Sequence, residues 1–262
     1  PVAKMNLWEE KTGEYSEYTT LGDTPPYTSR ETISPDKVVD VTDKVDAQGR
    51  LSWKAPKGEW LVLRFCQVPT GAMVKHARAD FKGLECDKLS AAAATKHWQH
   101  FAQPIIDTLR NAGTPLQGIV MDSHEAGPQN WTEGFDTAFA RRRGYDLHLY
   151  LPALAGYVVG SVAETEAFCH DVRRTIADLM ADNYYGIFDR LCRANGITLT
   201  AQASGNAQNI VSDNFQAKGH VAKPQGEFWA KHVNGSYDMK EASSAAHVYG
   251  KQIASAEAFT DA

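Results

Sequence analysis

The sequence lacks the features that are typical of membrane, nucleic-acid-binding and zinc-binding proteins. None of its apolar runs approaches the roughly 20 residues that a membrane-spanning helix requires. The formal net charge is −5 over 262 residues, with no basic stripe, which argues against a nucleic-acid-binding surface. The four cysteines form no CxxC pair and have no zinc-ligand spacing, so we interpret them as packing residues. We therefore expect neither membrane insertion nor a nucleic-acid partner.

Motifs for nucleotide binding and for serine or cysteine nucleophiles are missing as well. The chain contains no GxGxxG, no P-loop and no GxSxG sequence. No signal peptide is visible, and because the first residue is Pro1 rather than Met, we expect the natural start of the protein to be missing. The composition itself is ordinary, since 43% hydrophobic and 23% charged residues are typical of a globular domain with a sizeable core.

The stretch that organises the chain begins with the apolar run Gly118–Met121. The run stops at polar residues, among them Asp122 and Glu125, and a capping pattern then predicts a helix. A second apolar stretch, 252–260, places Glu257 where its strand should end. The carboxyl ends of parallel strands are where ligands bind in α/β folds. Both glutamates are therefore candidates for chemistry.

Strands and helices alternate between these two stretches. A long periodic helix is predicted over residues 165–194, a short strand follows at 197–202, and residues 224–229 form another acidic strand end or loop. This alternation implies a parallel sheet, and acids at several strand ends favour a TIM-type barrel. The fold class that we predict is α/β, with residues 73–262 forming the N-terminal portion of an incomplete (β/α)8 catalytic barrel. We expect the remainder of a longer polypeptide chain to complete it.

The first 72 residues have a different pattern. Residues 59–67 combine aromatic and β-branched residues, follow a Pro–Gly turn and predict a strong strand. Residues 1–72 are therefore predicted to be a β-rich, sandwich-like segment that belongs to a flanking β-domain.

Glu125 and Glu257 suit glycoside hydrolysis by their positions. Breaking a glycosidic bond needs one carboxylic acid to protonate the leaving oxygen and a second carboxylate that activates water or attacks the anomeric carbon. The plainer interpretation is that each is a surface or helix-capping glutamate. Placement at strand ends, beside glycine and aromatic residues, is what favours the catalytic interpretation.

Other polar residues near these strand ends are candidates for sugar contacts. Asp122, Ser123 and Asn130 could hold sugar hydroxyls, or could simply cap the loop and the helix. His124 lies next to the first glutamate and is the better functional histidine, because His247 has the setting of a packed helix residue.

An oxygen-rich set of residues would suit calcium. Asp171, Asn206 and Glu227 offer the carboxylate and amide oxygens that this hard cation prefers. Their spacing does not demand a metal, since Asp171 is otherwise an ordinary helix residue and Asn206 a turn residue. Glu227, two residues before Trp229, equally suits a salt bridge or a sugar contact.

Six groups of segments, taken together and in order, resemble the α-L-rhamnosidases of glycoside hydrolase family 106 over most of residues 83–260. Each is weak by itself, but the ordered set is a specific signature. The segments are GLECDK at 83–88, DSHE at 122–125 with NWT at 130–132, RRGY at 142–145 with YLP at 150–152, PQGEFW at 224–229, SSAAHVYGK at 243–251 and AEAFT at 256–260.

The resemblance implies a central barrel flanked by β-domains that hydrolyses terminal α-L-rhamnosides with inversion at the anomeric carbon. It implies Glu125 as the general acid, Glu257 as the general base, Glu227 as a calcium or substrate ligand, and calcium near the sugar. The expected partner is a rhamnose-containing oligosaccharide or glycoside of plant or microbial origin, and we expect a periplasmic or secreted bacterial enzyme. The chain departs from the family pattern in its length. Substrate contacts are expected from Asp122, Ser123, His124, Asn130, Trp131, Trp229 and His247.

Two other classes remain open at this point. In a retaining β-glycosidase of a related barrel type, Glu257 would act as a nucleophile, and the carboxyl separation would be about 5–5.5 Å rather than the roughly 6.5–9.5 Å of an inverting enzyme. A non-catalytic carbohydrate-binding fragment would keep the fold without turnover. Possession of both glutamates speaks against the second class.

Overall fold

The computed structural model describes residues 32–75, 77–204, 212–230 and 236–260. This part of the chain is built on one parallel sheet whose strands follow each other in sequence order. Within the described residues, no helix is long and apolar enough to cross a membrane. The strands are β1 (Gly118–Met121), β2 (Thr198–Ala201), β3 (Lys223–Trp229) and β4 (Ser255–Thr260).

Parallel pairing in sequence order is the arrangement of successive units in a β/α barrel. Gly118 pairs with Thr198, Ala201 with Pro224, and Glu227 with Glu257. The sheet curls into a half-barrel with helices on one side, which confirms the α/β prediction and the parallel sheet. A complete barrel and a β-sandwich are not part of the described structure.

The first helical segment is irregular directly before Pro104. It consists of α1 (Ala91–His97), a π-helical turn (Trp98–Ala102) and α2 (Gln103–Asn111). Proline has no N–H to donate and its ring clashes with the carbonyl four residues earlier. The wider π-helical turn directly before it accommodates both effects without ending the segment.

The longest helical segment lies between β1 and β2 in the chain and covers the sheet. It consists of α5 (Val162–Met180), a π-helical turn (Ala181–Tyr185) and α6 (Gly186–Ala194), and it begins at Ser161, whose side chain accepts the N–H of Glu164. Its apolar stripe is buried in the core, as predicted from the spacing. The remaining α-helices of the described residues are α3 (Phe135–Arg143), α4 (Leu151–Leu154), α7 (Asn214–His220) and α8 (Ser236–Val248).

The two faces of the sheet have different surroundings. Leu199 and Ala201 are buried in the core beneath the helices, and α8 approaches β3 so closely that a Cβ on Gly226 would lie 2.7 Å from the carbonyl oxygen of Asp238. The opposite face is open: Val120, which points away from this core, is 66% exposed. Side chains alternate along a strand, so a residue two positions after an outward one points to the same face. Asp122, two positions after Val120, therefore shares the open face.

The region before the barrel contains little regular structure. Residues 32–72 form short 3-10 turns and the isolated bridges Ile33–Val159 and Val45–Leu51. The strand predicted over 59–67 is not formed, and Leu61 and Val62 are exposed. β-propensity is realised only where a partner strand supplies backbone hydrogen bonds, and no such partner lies within the described residues. The division at residue 72 stays a prediction, and residues 1–31 lie outside the described part.

Candidate functional site

Four strands each contribute a polar side chain near their carboxyl ends, on the open face of the sheet. Asp122 follows β1, Gln202 follows β2, and Glu227 and Glu257 lie in β3 and β4. Glu227 and Glu257 are direct partners in the register of their two strands, so their side chains leave the sheet side by side. This edge is the position at which β/α barrels bind and transform their ligands.

The carboxyl group of Glu227 is affected by the other acids around it. Burial raises the pKa of Glu227, and the nearby charges of Glu257, Asp238 and Asp122 raise it further. A hydrogen bond from Trp229 Nε1, 3.2 Å from Glu227 Oε1, acts in the opposite direction. The site therefore favours a proton or a cation among its acids.

The loop after β1 holds Glu125 by contacts from both sides. The Ser123 hydroxyl donates to Glu125 Oε1 at 3.3 Å, and Lys75 Nζ lies 3.1 Å from Oε2. The backbone N–H of His124 donates to the carbonyl of Ala203 at 2.7 Å, which ties the loop to the end of β2. Ala203 has a φ of 70°, a strained conformation for a residue with a Cβ. Strain of this kind clusters at functional sites.

His124 is buried beneath this loop rather than presented to solvent. It is 6% exposed, and its Nε2 lies 2.9 Å from the carbonyl oxygen of Gly127. Its Nδ1 has no hydrogen-bond partner within the described residues. Burial lowers the pKa of His124, and the charge of Lys88 lowers it further, so the ring is neutral.

The neutral state of His124 gives the protein a predicted sensitivity to acid. The pKa of His124 in the folded protein lies below its ordinary value of 6.5, so the unfolded chain binds a proton at a pH where the folded chain does not. The free energy of unfolding therefore decreases as the pH falls below about 6.5. His124→Gln should reduce the loss of melting temperature between pH 7 and pH 5. The exposed His100 provides a matched control, and a reduction of the same size in His100→Gln would contradict the assignment.

A cavity of about 160 Å³ lies beside Glu125 and Asp122. Its lining includes Asp122 and Glu125 from the loop, and Tyr184 from the π-helical turn of the long helix. Asp122 also contributes to the charge around Glu227. Through this shared residue the cavity and the carboxylates of β3 and β4 form one site.

The segment 83–88 belongs to the site. In the sequence it had counted only towards the family resemblance. Glu85 and the buried Lys88 form an ion pair at 2.6 Å that lines the same cavity. Asp87 accepts a hydrogen bond from the Thr132 hydroxyl at 2.6 Å and another from the side chain of Gln129. These bonds fasten the segment to the loop after β1. Apart from the family motif, the sequence carried no signal for this role, because the burial of Lys88 follows from tertiary packing.

Several predicted site residues lie elsewhere. Trp131, which follows Asn130 in the chain, packs against Phe135 with ring centroids 4.6 Å apart and lines a second cavity of about 480 Å³. Asp171 accepts the hydroxyl of Tyr145 at 2.9 Å, on the helix that covers the sheet. His247 is exposed in the last turn of α8. Because that helix returns towards the amino end of β4, the structure does not bring His247 to the carboxyl edge.

The predicted calcium set is only partly assembled. Glu227 lies among the strand-end acids, Asp171 is engaged by the tyrosine, and Asn206 lies outside the described residues. Within the part of the chain that the structure covers, no group of three or more His, Cys, Asp or Glu side chains is arranged to hold a metal. The carboxylates of Asp122 and Glu227 have the chemistry that a hard cation requires.

Successive parallel β/α units with acids towards the carboxyl ends of their strands are typical of the β/α-barrel class of proteins. The comparison with protein families agrees with this class. The sequence profile described as alpha-L-rhamnosidase matches residues 1–262, and the chain belongs to this family, glycoside hydrolase family 106.

Two relatives show how the chain relates to longer proteins. It is 40% identical over 241 residues to a protein of Formosa agariphila that is provisionally named a beta-glucuronidase, covering 92% of this chain and 20% of that protein. It superimposes with a TM-score of 0.81 and 27% identity on the rhamnosidase from Novosphingobium sp. PP1Y, covering 98% of this chain and 26% of that one. The chain thus spans about a fifth to a quarter of the relatives it matches.

Proposed function

We propose that the full-length protein hydrolyses terminal α-L-rhamnosyl residues of plant or microbial glycans and glycosides, with inversion at the anomeric carbon. The observation that carries the proposal is the row of acids at the strand ends, joined through Asp122 to the cavity beside Glu125. Membership of the rhamnosidase family and the likeness to a solved rhamnosidase support the choice of sugar.

The proposed mechanism assigns one role to each glutamate. Glu125, oriented by Ser123, donates a proton to the glycosidic oxygen as the bond to the anomeric carbon breaks. Glu257 accepts a proton from the water that attacks the opposite face of the same carbon. The products are the free sugar with inverted configuration and the alcohol that was released. The enzyme returns to its starting state when Glu257 loses and Glu125 regains a proton.

A uronic acid substrate is the second candidate, because of the provisional name of the Formosa agariphila relative. A sugar carboxylate requires a cation that is available to bind it. Lys88 is already paired with Glu85 at 2.6 Å, and Lys75 contacts Glu125. Neither of these two lysines of the described residues is left to bind a sugar carboxylate, which favours a neutral deoxy sugar over a uronic acid.

A panel of aryl glycosides tests the proposal on the full-length protein. We expect turnover of the α-L-rhamnoside and little turnover of the glucuronide, with the product anomer followed by NMR from the first minutes of the reaction. Inversion would support two separate acid and base glutamates. Retention would instead support Glu257 as a nucleophile, and preference for the glucuronide would replace the proposed substrate.

We also propose that calcium binds at this edge, with Glu227 as a ligand. The repulsion that raises the pKa of Glu227 would be relieved by a divalent cation among the acids. Chelation should abolish activity and calcium should restore it. Glu227→Gln should raise the calcium concentration needed for half-saturation, measured by calorimetry, roughly tenfold or more. Full activity after exhaustive chelation would contradict the proposal.

Asp171→Asn serves as the comparison for this experiment. Asp171 lies in α5 and accepts the hydroxyl of Tyr145, so we expect its replacement to leave the calcium affinity unchanged. An equal loss of affinity in both variants would instead support the calcium set that was predicted from the sequence.

A further inference from the structure

The cavity of about 480 Å³ adjoins the smaller one beside Glu125. The two cavities share part of their lining, and the shared residues are Glu85, Lys88, His124 and Ala126. Asp122 lines only the smaller cavity, and it follows β1 at the edge where the acids of β3 and β4 also lie. The smaller cavity, which contains Glu125, therefore lies between the strand-end acids and the larger cavity.

The larger cavity has the lining of a binding site for a neutral ligand. Its volume lies within the roughly 300–1,000 Å³ that is typical of ligand pockets, and Trp131 and Leu84 give it apolar surface. The neutral polar side chains of the lining are Gln67, Thr70 and Gln129. The charged side chains of the lining already have partners, because Lys88 is paired with Glu85, and Asp87 accepts the two hydrogen bonds described above. This composition suits the ring of a neutral sugar.

The proposed mechanism determines on which side of Glu125 the released alcohol lies. Glu257 activates water on one face of the anomeric carbon, and Glu125 protonates the oxygen that departs from the opposite face. The leaving group therefore lies on the side of Glu125 that is away from the strand-end acids. The larger cavity lies on this side, because it meets the smaller cavity at the shared lining.

We propose that the cavity of about 480 Å³ is a leaving-group subsite, which binds the neutral sugar from which the terminal residue is cleaved; this inference rests on the proposed function. Contacts in this subsite are made to a part of the substrate that does not react. Binding energy from such a part orients the glycosidic bond against Glu125, which raises kcat as well as affinity. We therefore expect the enzyme to select its substrates by the departing sugar as well as by the terminal one.

Substrates that differ only in the leaving group test the subsite on the full-length wild type. They are the methyl glycoside and a set of disaccharides of whichever terminal sugar the aryl glycoside panel identifies, so a sugar other than rhamnose would overturn the proposed function and leave this test intact. Methanol and a sugar both leave poorly without a proton, so the need for a general acid is alike. We expect kcat/KM to be roughly 10- to 100-fold higher when a neutral hexose departs than when methanol does. A departing uronic acid should not give this gain.

Ala72→Leu narrows the larger cavity from a wall that the smaller cavity does not share. We expect the ratio of kcat/KM for the best disaccharide to kcat/KM for the methyl glycoside to fall about tenfold, because the departing hexose no longer fits. Ala79→Leu makes the same change at an exposed alanine outside both cavities, and this matched control should preserve the ratio. The ratio cancels any loss that comes only from a smaller folded fraction.

The outcomes separate a leaving-group subsite from a cavity without a role in substrate binding. A preference for a departing neutral hexose that is lost in Ala72→Leu and kept in Ala79→Leu would support the proposal. Equal kcat/KM values for the methyl glycoside and every disaccharide would overturn it, even without any variant, and so would a preference that Ala72→Leu leaves intact. A protein that hydrolyses no glycoside of the panel would overturn the proposed function and the subsite together.

Discussion

Replacement of Lys218 by methionine should destabilise the protein by about 3–5 kcal/mol, the usual consequence of removing one partner from a buried ion pair. Lys218 lies in α7 and is 1% exposed. Its ammonium group contacts Asp238 and lies 2.8 Å from Glu241, both in α8. Without the cation, two carboxylates would face each other in the protein interior with no opposite charge to offset their desolvation.

The same variant should also reduce activity, because the ion pair reaches the site. Asp238 Oδ2 accepts the backbone N–H of Glu227 at 2.8 Å, so the cluster of Lys218, Asp238 and Glu241 fixes β3 from the side opposite the substrate. If Asp238 moves towards solvent when its cation is lost, the backbone of Glu227 loses its acceptor. We therefore expect stability and turnover to fall together.

Thermal and urea unfolding of the full-length protein would measure the effect. Lys240→Met removes an exposed lysine from α8 and should change the unfolding free energy by less than about 0.5 kcal/mol. Adding Asp238→Asn and Glu241→Gln to Lys218→Met should recover much of the loss, since no uncompensated charge then remains. A loss below about 1 kcal/mol for Lys218→Met alone would contradict the assignment of a tightly coupled buried cluster.

This cluster illustrates a limit of sequence reasoning. The pattern of Asp238 with Glu241 three residues later is typical of an N-cap with a capping box, but Asp238 lies inside the helix. The helix begins at Ser236, and Asp238 is fully buried against Lys218. Capping and ion pairing use the same residue types at the same spacing. Only the packing of α7 against α8, which the local pattern does not contain, distinguishes them.

The local sequence pattern predicted the structure correctly where apolar residues recur at a regular spacing. The strand Gly118–Met121, the long helix and the parallel order of the sheet all follow from apolar spacing and alternation. Glu257 was predicted where its strand ends, but β4 continues to Thr260, and Glu257 lies in the middle of the strand, opposite Glu227 and within hydrogen-bond distance of Gln202. Gln202 itself was missed because a contact between two strands is not part of the local sequence pattern. The strand over 59–67 was predicted from propensity alone, which cannot supply a partner strand.

The largest effect on activity is expected from the two glutamates, and it should differ between them by leaving group. A general acid matters most when the departing oxygen belongs to a sugar or an alkyl alcohol, which leaves poorly as an anion. A nitrophenolate leaves with little protonation. Glu125→Ala should therefore reduce hydrolysis of natural rhamnosides by about 10²–10⁴-fold and hydrolysis of nitrophenyl rhamnoside far less.

Glu257→Ala should reduce hydrolysis of both substrates alike, by about 10²–10⁴-fold, because water has to be activated whatever group departs. The exposed Glu133, at the start of the next helix, offers a matched control whose replacement by alanine should leave both rates near wild type. The measurement is kcat/KM for each variant on one natural and one nitrophenyl rhamnoside. The ratio of the two values cancels losses that come only from altered folding or a smaller active fraction.

The ratio also decides the assignment of roles. A leaving-group dependence in Glu257→Ala that is absent from Glu125→Ala would mean that the acid and the base are exchanged. Each carboxylate has a donor as a neighbour, Gln202 Nε2 for Glu257 and Lys75 Nζ for Glu125, so the assignment of roles rests on the family resemblance. Near-normal rates for both variants on the natural substrate would place the catalytic pair elsewhere in the full-length protein.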